Sequence, residues 1–207
     1  MKPFGTIVVD PAWKFDDKLT MSDVPRGADA NYHTMTLQQI VDLPIEKVSA
    51  KDAVLVLWVP AAILDWGFIV MKAWGFNYKQ LWVWVKTKKK VKKKVEQLEH
   101  DDLVTNLGRL ARSSKEVCLV GIRGDVYPHL AVKNIRDVFP HRNLKHSTKP
   151  DTIQDALDKM FPTFTKLELF GRRARKNWTV IGDEAPGYED EDINDVLNVF
   201  ITSMEEK

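Results

Sequence analysis

Only one cysteine, Cys118, is present in the 207 residues. A lone thiol makes no internal disulfide and no cysteine-rich metal site. Its place in the apolar run from Val117 to Gly121 predicts a core residue. The five histidines (His33, His100, His129, His141 and His146) show none of the spacings of a metal-ligand set, which argues against a metal enzyme. There is no run of about 18 apolar residues and no stretch shaped like a signal peptide, so a cytoplasmic protein without a membrane partner is expected. The formal net charge is only +2. The chain as a whole therefore has no strong pull on nucleic acid, and any basic surface must be local. Internal repeats and linker-like stretches are also missing.

Apolar residues make up 44% of the chain and charged residues 29%, the balance of a globular protein. A single domain over 1–207 follows, with a lysine-rich loop or insertion at about 86–100 and an amphipathic tail at about 188–207. Seven tryptophans are many for this length; most belong in a core, and one or two are candidates for stacking platforms. Ile7 to Val9 reads as a short strand ended by Asp10-Pro11. The polar stretch from Lys14 to His33 reads as a long loop. Thr36 with Gln39 has the form of a capping box before a short helix. The continuous apolar run Val54 to Val59 predicts a strand buried on both faces. Ile63, Trp66, Val70 and Trp74 are spaced for a helix, with Gly75 at its C-terminal cap. Leu81 to Val85, Val117 to Gly121, Leu167 to Phe170 and Trp178 to Ile181 read as further strands. Ile153, Ala156, Leu157 and Met160 mark one helix face; Ile193, Val196, Leu197 and Phe200 mark another. Between 86 and 110, the spacing of Val91, Val95 and Leu98 predicts some helix. Strands alternating with helices indicate an α/β domain with a mainly parallel sheet, whose ligands bind beyond the carboxyl ends of the strands.

Two segments fall at such ends, Asp10-Pro11-Ala12-Trp13 and Leu169-Phe170-Gly171-Arg172. Taken alone, the first reads most simply as a turn with Trp13 packed in the core. Its other reading is chemical. The exocyclic amine of adenine is a poor nucleophile because its lone pair is delocalised into the ring. Two fixed acceptors on the amine hydrogens favour a pyramidal nitrogen as charge develops, and an aromatic plate holds the base face. Asp10, the Pro11 carbonyl and the Trp13 ring supply those parts within four residues.

Further stretches occur in order along about 180 residues: Tyr32-His33-Thr34-Met35, Leu57-Trp58-Val59, Trp74-Gly75-Phe76, Trp84-Val85-Lys86, Lys115-Glu116 to Val120-Gly121, His146-Ser147-Thr148-Lys149-Pro150, Leu167 to Arg172, and Asn177-Trp178 to Gly182-Asp183-Glu184. With Asp10 to Trp13 they resemble the adenine methyltransferase family that includes the catalytic subunit of the eukaryotic messenger-RNA N(6)-adenosine methyltransferase and many bacterial and phage DNA-adenine enzymes. The resemblance implies a Rossmann-like, circularly permuted methyltransferase fold, with flanking helices around a mainly parallel sheet. It implies S-adenosylmethionine as cofactor, and Asp10, Pro11 and Trp13 as catalytic residues. Asp10, Lys149, Phe170, Gly171, Arg172, Asp183 and Glu184 are the implied cofactor side; Trp13, Tyr32 and His146 are the implied substrate side. Ala12 stands where the family usually has a second proline, and Asp183-Glu184 where it often has Asn-Gln or Asn-Glu.

Seven lysines fall within residues 86–94. Lys88, Lys89, Lys90, Lys92, Lys93 and Lys94 are candidates for backbone phosphates, which carry no base-specific information; the plain alternative is a solvated loop, and Glu96, Glu99, Asp101 and Asp102 offset the charge. The compact chain points to the bacterial or phage branch and to DNA as partner, with a homodimer as a possible assembly. An RNA adenine methyltransferase and a catalytically inactive nucleic-acid-binding subunit are the alternatives.

Overall fold

The computed structural model describes residues 1–15, 34–108, 110–144, 148–189 and 191–206. In chain order the strands are β1 Phe4–Val9, β2 Ser49–Val59, β3 Asn77–Thr87, β4 Lys115–Arg123, β5 Val138–Arg142, β6 Lys166–Leu169 and β7 Thr179–Ile181. The helices are α1 Leu37–Val41, α2 Ile45–Val48, α3 Leu64–Ala73, α4 Thr152–Met160 and α5 Ile193–Glu205. One seven-stranded sheet has the order β5-β3-β4-β2-β1-β6-β7. β1 pairs in parallel with β2 and β6, β6 with β7, and β3 with β5. β4 runs antiparallel to both of its neighbours, β2 and β3.

The first strand of the chain thus lies inside the sheet, and two late strands extend it on the other side, as the permuted order requires. All six residues of β1 are buried because both faces are covered. Ile7, Val9, Leu55, Leu57, Leu119 and Leu167 face a core closed by side chains of α1, α2, α3 and α5. Val8, Val56, Trp58, Trp84 and Cys118 face the other, closed by Ile153, Ala156 and Leu157 of α4. Cys118 is fully buried in that layer, and burial pushes its thiol well above the ordinary range.

The capping box forms: the Gln39 amide donates to Thr36 Oγ1 at 3.3 Å, and the Thr36 amide donates to Gln39 Oε1 at 2.9 Å. Gly75 takes a left-handed φ of 78° just past α3, as its capping role requires. Two expectations need correction. The stretch around Val91, Val95 and Leu98 holds only single 3₁₀ turns at Val95–Gln97 and His100–Asp102, since lysines leave too few apolar anchors for an amphipathic face. β5 was not anticipated. Its Val-Phe-Pro-His-Arg sequence lacks clean alternation and carries Pro140, which is tolerated because β5 is an edge strand.

α3 approaches the sheet at Gly67, where an added Cβ would lie 2.6 Å from Val59 Cγ2 and 2.8 Å from Leu119 Cδ1. Replacing an exposed helical glycine by alanine normally stabilises by about 0.5–1 kcal/mol. Here Val59 and Leu119 are both buried and cannot swing away, and overpacking costs about 1–3 kcal/mol. Gly67→Ala should therefore lower the urea midpoint; a raised midpoint would show that α3 slides freely on the sheet.

Candidate active site

The carboxyl ends of β1 and β6, the start of antiparallel β4 and the loop after β7 meet around a cavity of about 1120 Å³. Asp10, Pro11, Ala12 and Trp13 form one wall; Phe170, Gly171, Arg172, Asp183 and Glu184 form another. Lys149 and Glu116 lie between them.

The backbone fixes the first wall. The Asp10 amide donates to the Leu169 carbonyl at 3.4 Å, tying the end of β1 to β6. The Trp13 amide donates to the Pro11 carbonyl at 2.9 Å, so that carbonyl keeps one further lone pair for a ligand. Met35 donates to the Ala12 carbonyl at 2.8 Å and accepts from the Lys14 amide at 2.9 Å. The Trp13 ring lines the cavity yet is only 4% exposed, and its Nε1 donates to the Trp58 carbonyl at 3.0 Å. Trp13 is therefore a core anchor as well as part of the wall, joining the two readings of the tetrapeptide.

Across the floor runs a chain of opposite charges. Lys149 Nζ donates to Asp10 Oδ2 at 2.8 Å and sits 3.3 Å from Glu116 Oε2. The other oxygen of Glu116 pairs with Lys86. Trp58 and Trp84 lie under the two ammonium groups, with Lys149 5.4 Å from one ring centroid and Lys86 4.8 Å from the other. Burial pushes the Asp10 carboxyl above the usual carboxylate range, against the pull of Lys149. Burial also disfavours the Lys149 cation, but Asp10 and Glu116 outweigh it and hold that ammonium above its usual value. Glu116 resists burial in the same way through Lys149 and Lys86 and stays below its ordinary value.

The second wall depends on close backbone approach. An added Cβ on Gly182 would lie 2.3 Å from the Gly171 carbonyl oxygen, and one on Gly171 would lie 2.3 Å from Val180 Cγ1. Phe170 before them has a left-handed φ of 62°, an arrangement that persists only when its surroundings enforce it. Arg173 binds Asp151 at 2.9 Å, and Arg175 binds Asp155 at 2.6 Å and Asp158 at 2.7 Å. Trp178 Nε1 also donates to Asp158, at 3.0 Å. These bonds clamp the loop to α4, so two arginines that resemble a solvated basic turn in sequence are structural. Arg172 instead faces the cavity, 3.6 Å from Glu184.

The structure thus brings Asp10, Pro11, Trp13, Lys149, Phe170, Gly171, Arg172, Asp183 and Glu184 around one cavity. Tyr32 and His146 lie outside the described residues. Lys88, Lys89, Lys90, Lys92, Lys93 and Lys94 do not line this cavity. Glu116 was not singled out from sequence: it stood within a family-like stretch, but its partners, Lys86 and Lys149, come from two other segments. Among the described residues no group of three or more His, Cys, Asp or Glu side chains is placed to hold a metal ion, and no helix is long and apolar enough to cross a membrane.

Residues 4–184 match the family pattern described as MT-A70. The chain is similar to the type II methyltransferase M.MunI of Mycoplasma sp, 28% identical over 200 residues that cover 89% of this chain and 79% of that protein. It is also similar to an MT-A70-like N(6)-adenosine-methyltransferase of Arabidopsis thaliana, 28% identical over 186 residues, 89% of this chain and 24% of the relative. For the human N(6)-adenosine-methyltransferase catalytic subunit METTL3 the figures are 28% over 187 residues, 89% of this chain and 28% of the relative. The chain therefore spans most of the first relative and about a quarter of the other two.

If Asp10 acts ionised, the acid limb of kcat/KM should lie above the ordinary aspartate range, because burial raises its pKa. Lys149→Met removes the opposing cation, so the limb should move further up. A carboxyl raised in the folded state favours folding below its unfolded pKa, and that contribution is lost as pH rises through the folded value. Relative to wild type the variant should therefore lose stability with rising pH. An acid limb left in place by Lys149→Met would assign it to another group.

Proposed function

Because the chain belongs to the MT-A70 family of methyltransferases, whose pattern spans residues 4–184, we propose that it methylates the exocyclic amine of adenine in DNA. The observation that carries this reading is Asp10 beside the Pro11 carbonyl at the edge of the cavity, with Lys149 on Asp10 Oδ2. That bond leaves Asp10 Oδ1 to accept one amine hydrogen while the Pro11 carbonyl accepts the other. Both acceptors are held by strand and turn hydrogen bonds, so they need no reorganisation as the amine nitrogen gains charge. Trp13 forms the wall beside the base, and Tyr32 and His146 are assigned to the substrate side.

The family's cofactor, S-adenosylmethionine, supplies an electrophilic methyl group on a cationic sulfur. The residues present fit it. The close packing at Gly171 and Gly182 fixes the loop ends that carry Arg172, Asp183 and Glu184 at the cavity; the carboxylate of Glu184 is suited to ribose hydroxyls, and that of Asp183 to an adenine amine. Phe170 and Arg172 would complete that wall, and Lys149 holds the Asp10 carboxylate. The likeness to the type II methyltransferase M.MunI, 28% identical over 200 residues, supports DNA as the substrate. A cytoplasmic setting goes with that assignment.

Purified protein should methylate adenines in matched DNA oligonucleotides in preference to RNA ones, and the modified positions can be mapped. Asp10→Asn, nearly isosteric, should lower the rate by about 100-fold or more while cofactor binding persists. Wild-type turnover by that folded variant would remove Asp10 from the chemistry. Glu184→Ala should weaken cofactor binding roughly tenfold or more, the worth of a charge-assisted hydrogen bond of about 1.5–3 kcal/mol. Calorimetry showing unchanged affinity would move the ribose end elsewhere.

A further inference from the structure

A second, smaller cavity of about 350 Å³ opens beside the lysine-rich loop. It lies between the carboxyl ends of parallel strands β3 and β5, where Lys86 pairs in register with His141 and Thr87 with Arg142. Its lining is Thr87, Lys89, Val91, Lys92, Lys93, Pro140, His141 and Arg142, with no carboxylate among them.

The acidic residues that offset the lysines in sequence are spent elsewhere. Glu96 pairs with Arg136. Asp102 and Glu99 both take Lys93, at 2.9 and 3.5 Å. Asp101 faces only His100, at 3.6 Å. Lys93 is therefore neutralised, whereas Lys89, Lys92 and Arg142 are exposed and form no ion pair among the described residues. The loop is also held in place: Lys88 donates its amide to the Asp102 carbonyl at 2.9 Å, Val104 to the Lys86 carbonyl at 2.9 Å, and Asn143 to the Thr87 carbonyl at 2.9 Å.

The cleft lies on the same edge of the sheet as the active site. Lys86, one residue before its Thr87 wall, is the outer member of the charge chain that ends at Asp10. β1, which carries Asp10 at its end, is three strand spacings from β3 in the sheet order, so the cleft between β3 and β5 is three to four spacings, about 15–20 Å, from Asp10. At about 3.4 Å per nucleotide along a strand, that distance covers about four to six nucleotides.

We propose that this cleft seats a backbone phosphodiester about four to six nucleotides from the target adenine, held by Lys89, Lys92 and Arg142. The inference rests on the reading of the chain as a DNA-binding enzyme and narrows its contact from six lysines to two lysines and an arginine. Lys93 serves to fold the loop, and Lys88, Lys90 and Lys94, which do not line the cleft, make no fixed contact.

The test measures binding of a duplex containing the methylated site against sodium chloride concentration, without methyl transfer. Each phosphate contact removed lowers the slope of log affinity against log salt by about 0.9. Lys89→Gln with Lys92→Gln should lower the slope by up to one contact, about 0.9, whereas Lys88→Gln with Lys94→Gln should leave it unchanged. A single neutral methylphosphonate, moved linkage by linkage around the adenine, should weaken wild-type binding at one position about four to six nucleotides away and have no effect there on the Lys89/Lys92 variant. Equal slopes for the two pairs, or a methylphosphonate effect that survives in the variant, would overturn the cleft even if adenine methylation is observed. A split between the pairs in a protein that does not methylate adenine would keep the cleft and sink the activity.

Discussion

The Asp10–Lys149 pair is the contact on which the candidate active-site cavity turns. A carboxylate and an ammonium removed from bulk water each cost several kcal/mol, which their attraction offsets only if geometry is held and the remaining lone pairs are met. The fold meets that condition with parts from four places: the end of β1 supplies Asp10, the approach to α4 supplies Lys149, β4 supplies Glu116 and β3 supplies Lys86. The direction of β4 is essential to this. Because it runs against its neighbours, its first residues lie at the sheet edge where β1 and β3 end. A parallel β4 would begin at the opposite edge and leave Lys149 with one carboxylate fewer.

The same ammonium links the two halves of the site. Lys149 precedes α4, and α4 holds the Gly171–Arg172 loop through Asp151, Asp155 and Asp158. Whatever shifts that loop pulls on the helix whose leading residues position the cation beside Asp10. The left-handed Phe170 and Asn177 bracket the clamped segment. Its unusual backbone is therefore held from outside by ionic contacts and from below by the Gly171–Gly182 approach. A wall built this way is preorganised, which is what the proposed cofactor side needs if a methyl donor and an acceptor amine are to meet at short range.

How much of this was legible in the sequence depends on whether a feature is local. The strand ends at Asp10 and Phe170, the capping box at Thr36 and the helix faces of α4 and α5 are set by neighbours within a few residues, and they were readable as patterns. Glu116 was not, because its importance comes from register: Trp84 stands opposite Glu116 across β3 and β4, and only pairing brings Lys86 and Lys149 to it. The fate of Glu96, Glu99 and Asp102 was hidden for the same reason. Sequence proximity made them look like counter-charges for the whole lysine run, whereas Arg136 and Lys93 take them up. β5 escaped because an edge strand tolerates a proline that would exclude a central one.

Ala12 shows how tertiary contact replaces local stiffness. A second proline would fix one more φ angle and remove an amide that must otherwise find a partner. Here the constraint comes from across the chain: Met35 bridges Trp13 as an isolated parallel pair, bonded on one side to the Ala12 carbonyl and on the other to the Lys14 amide. Two backbone hydrogen bonds of about 1 kcal/mol each are comparable with the roughly 0.4–1 kcal/mol that a well-placed proline contributes by restricting the unfolded chain. The two devices differ in where they act. Proline stiffens the tetrapeptide alone, whereas the Met35 bridge ties it to the segment entering α1, on the same side of the cavity as Gln39 and Asp42. The Asp10–Trp13 wall of the cavity is thereby coupled to α1, a dependence that the proline form does not require.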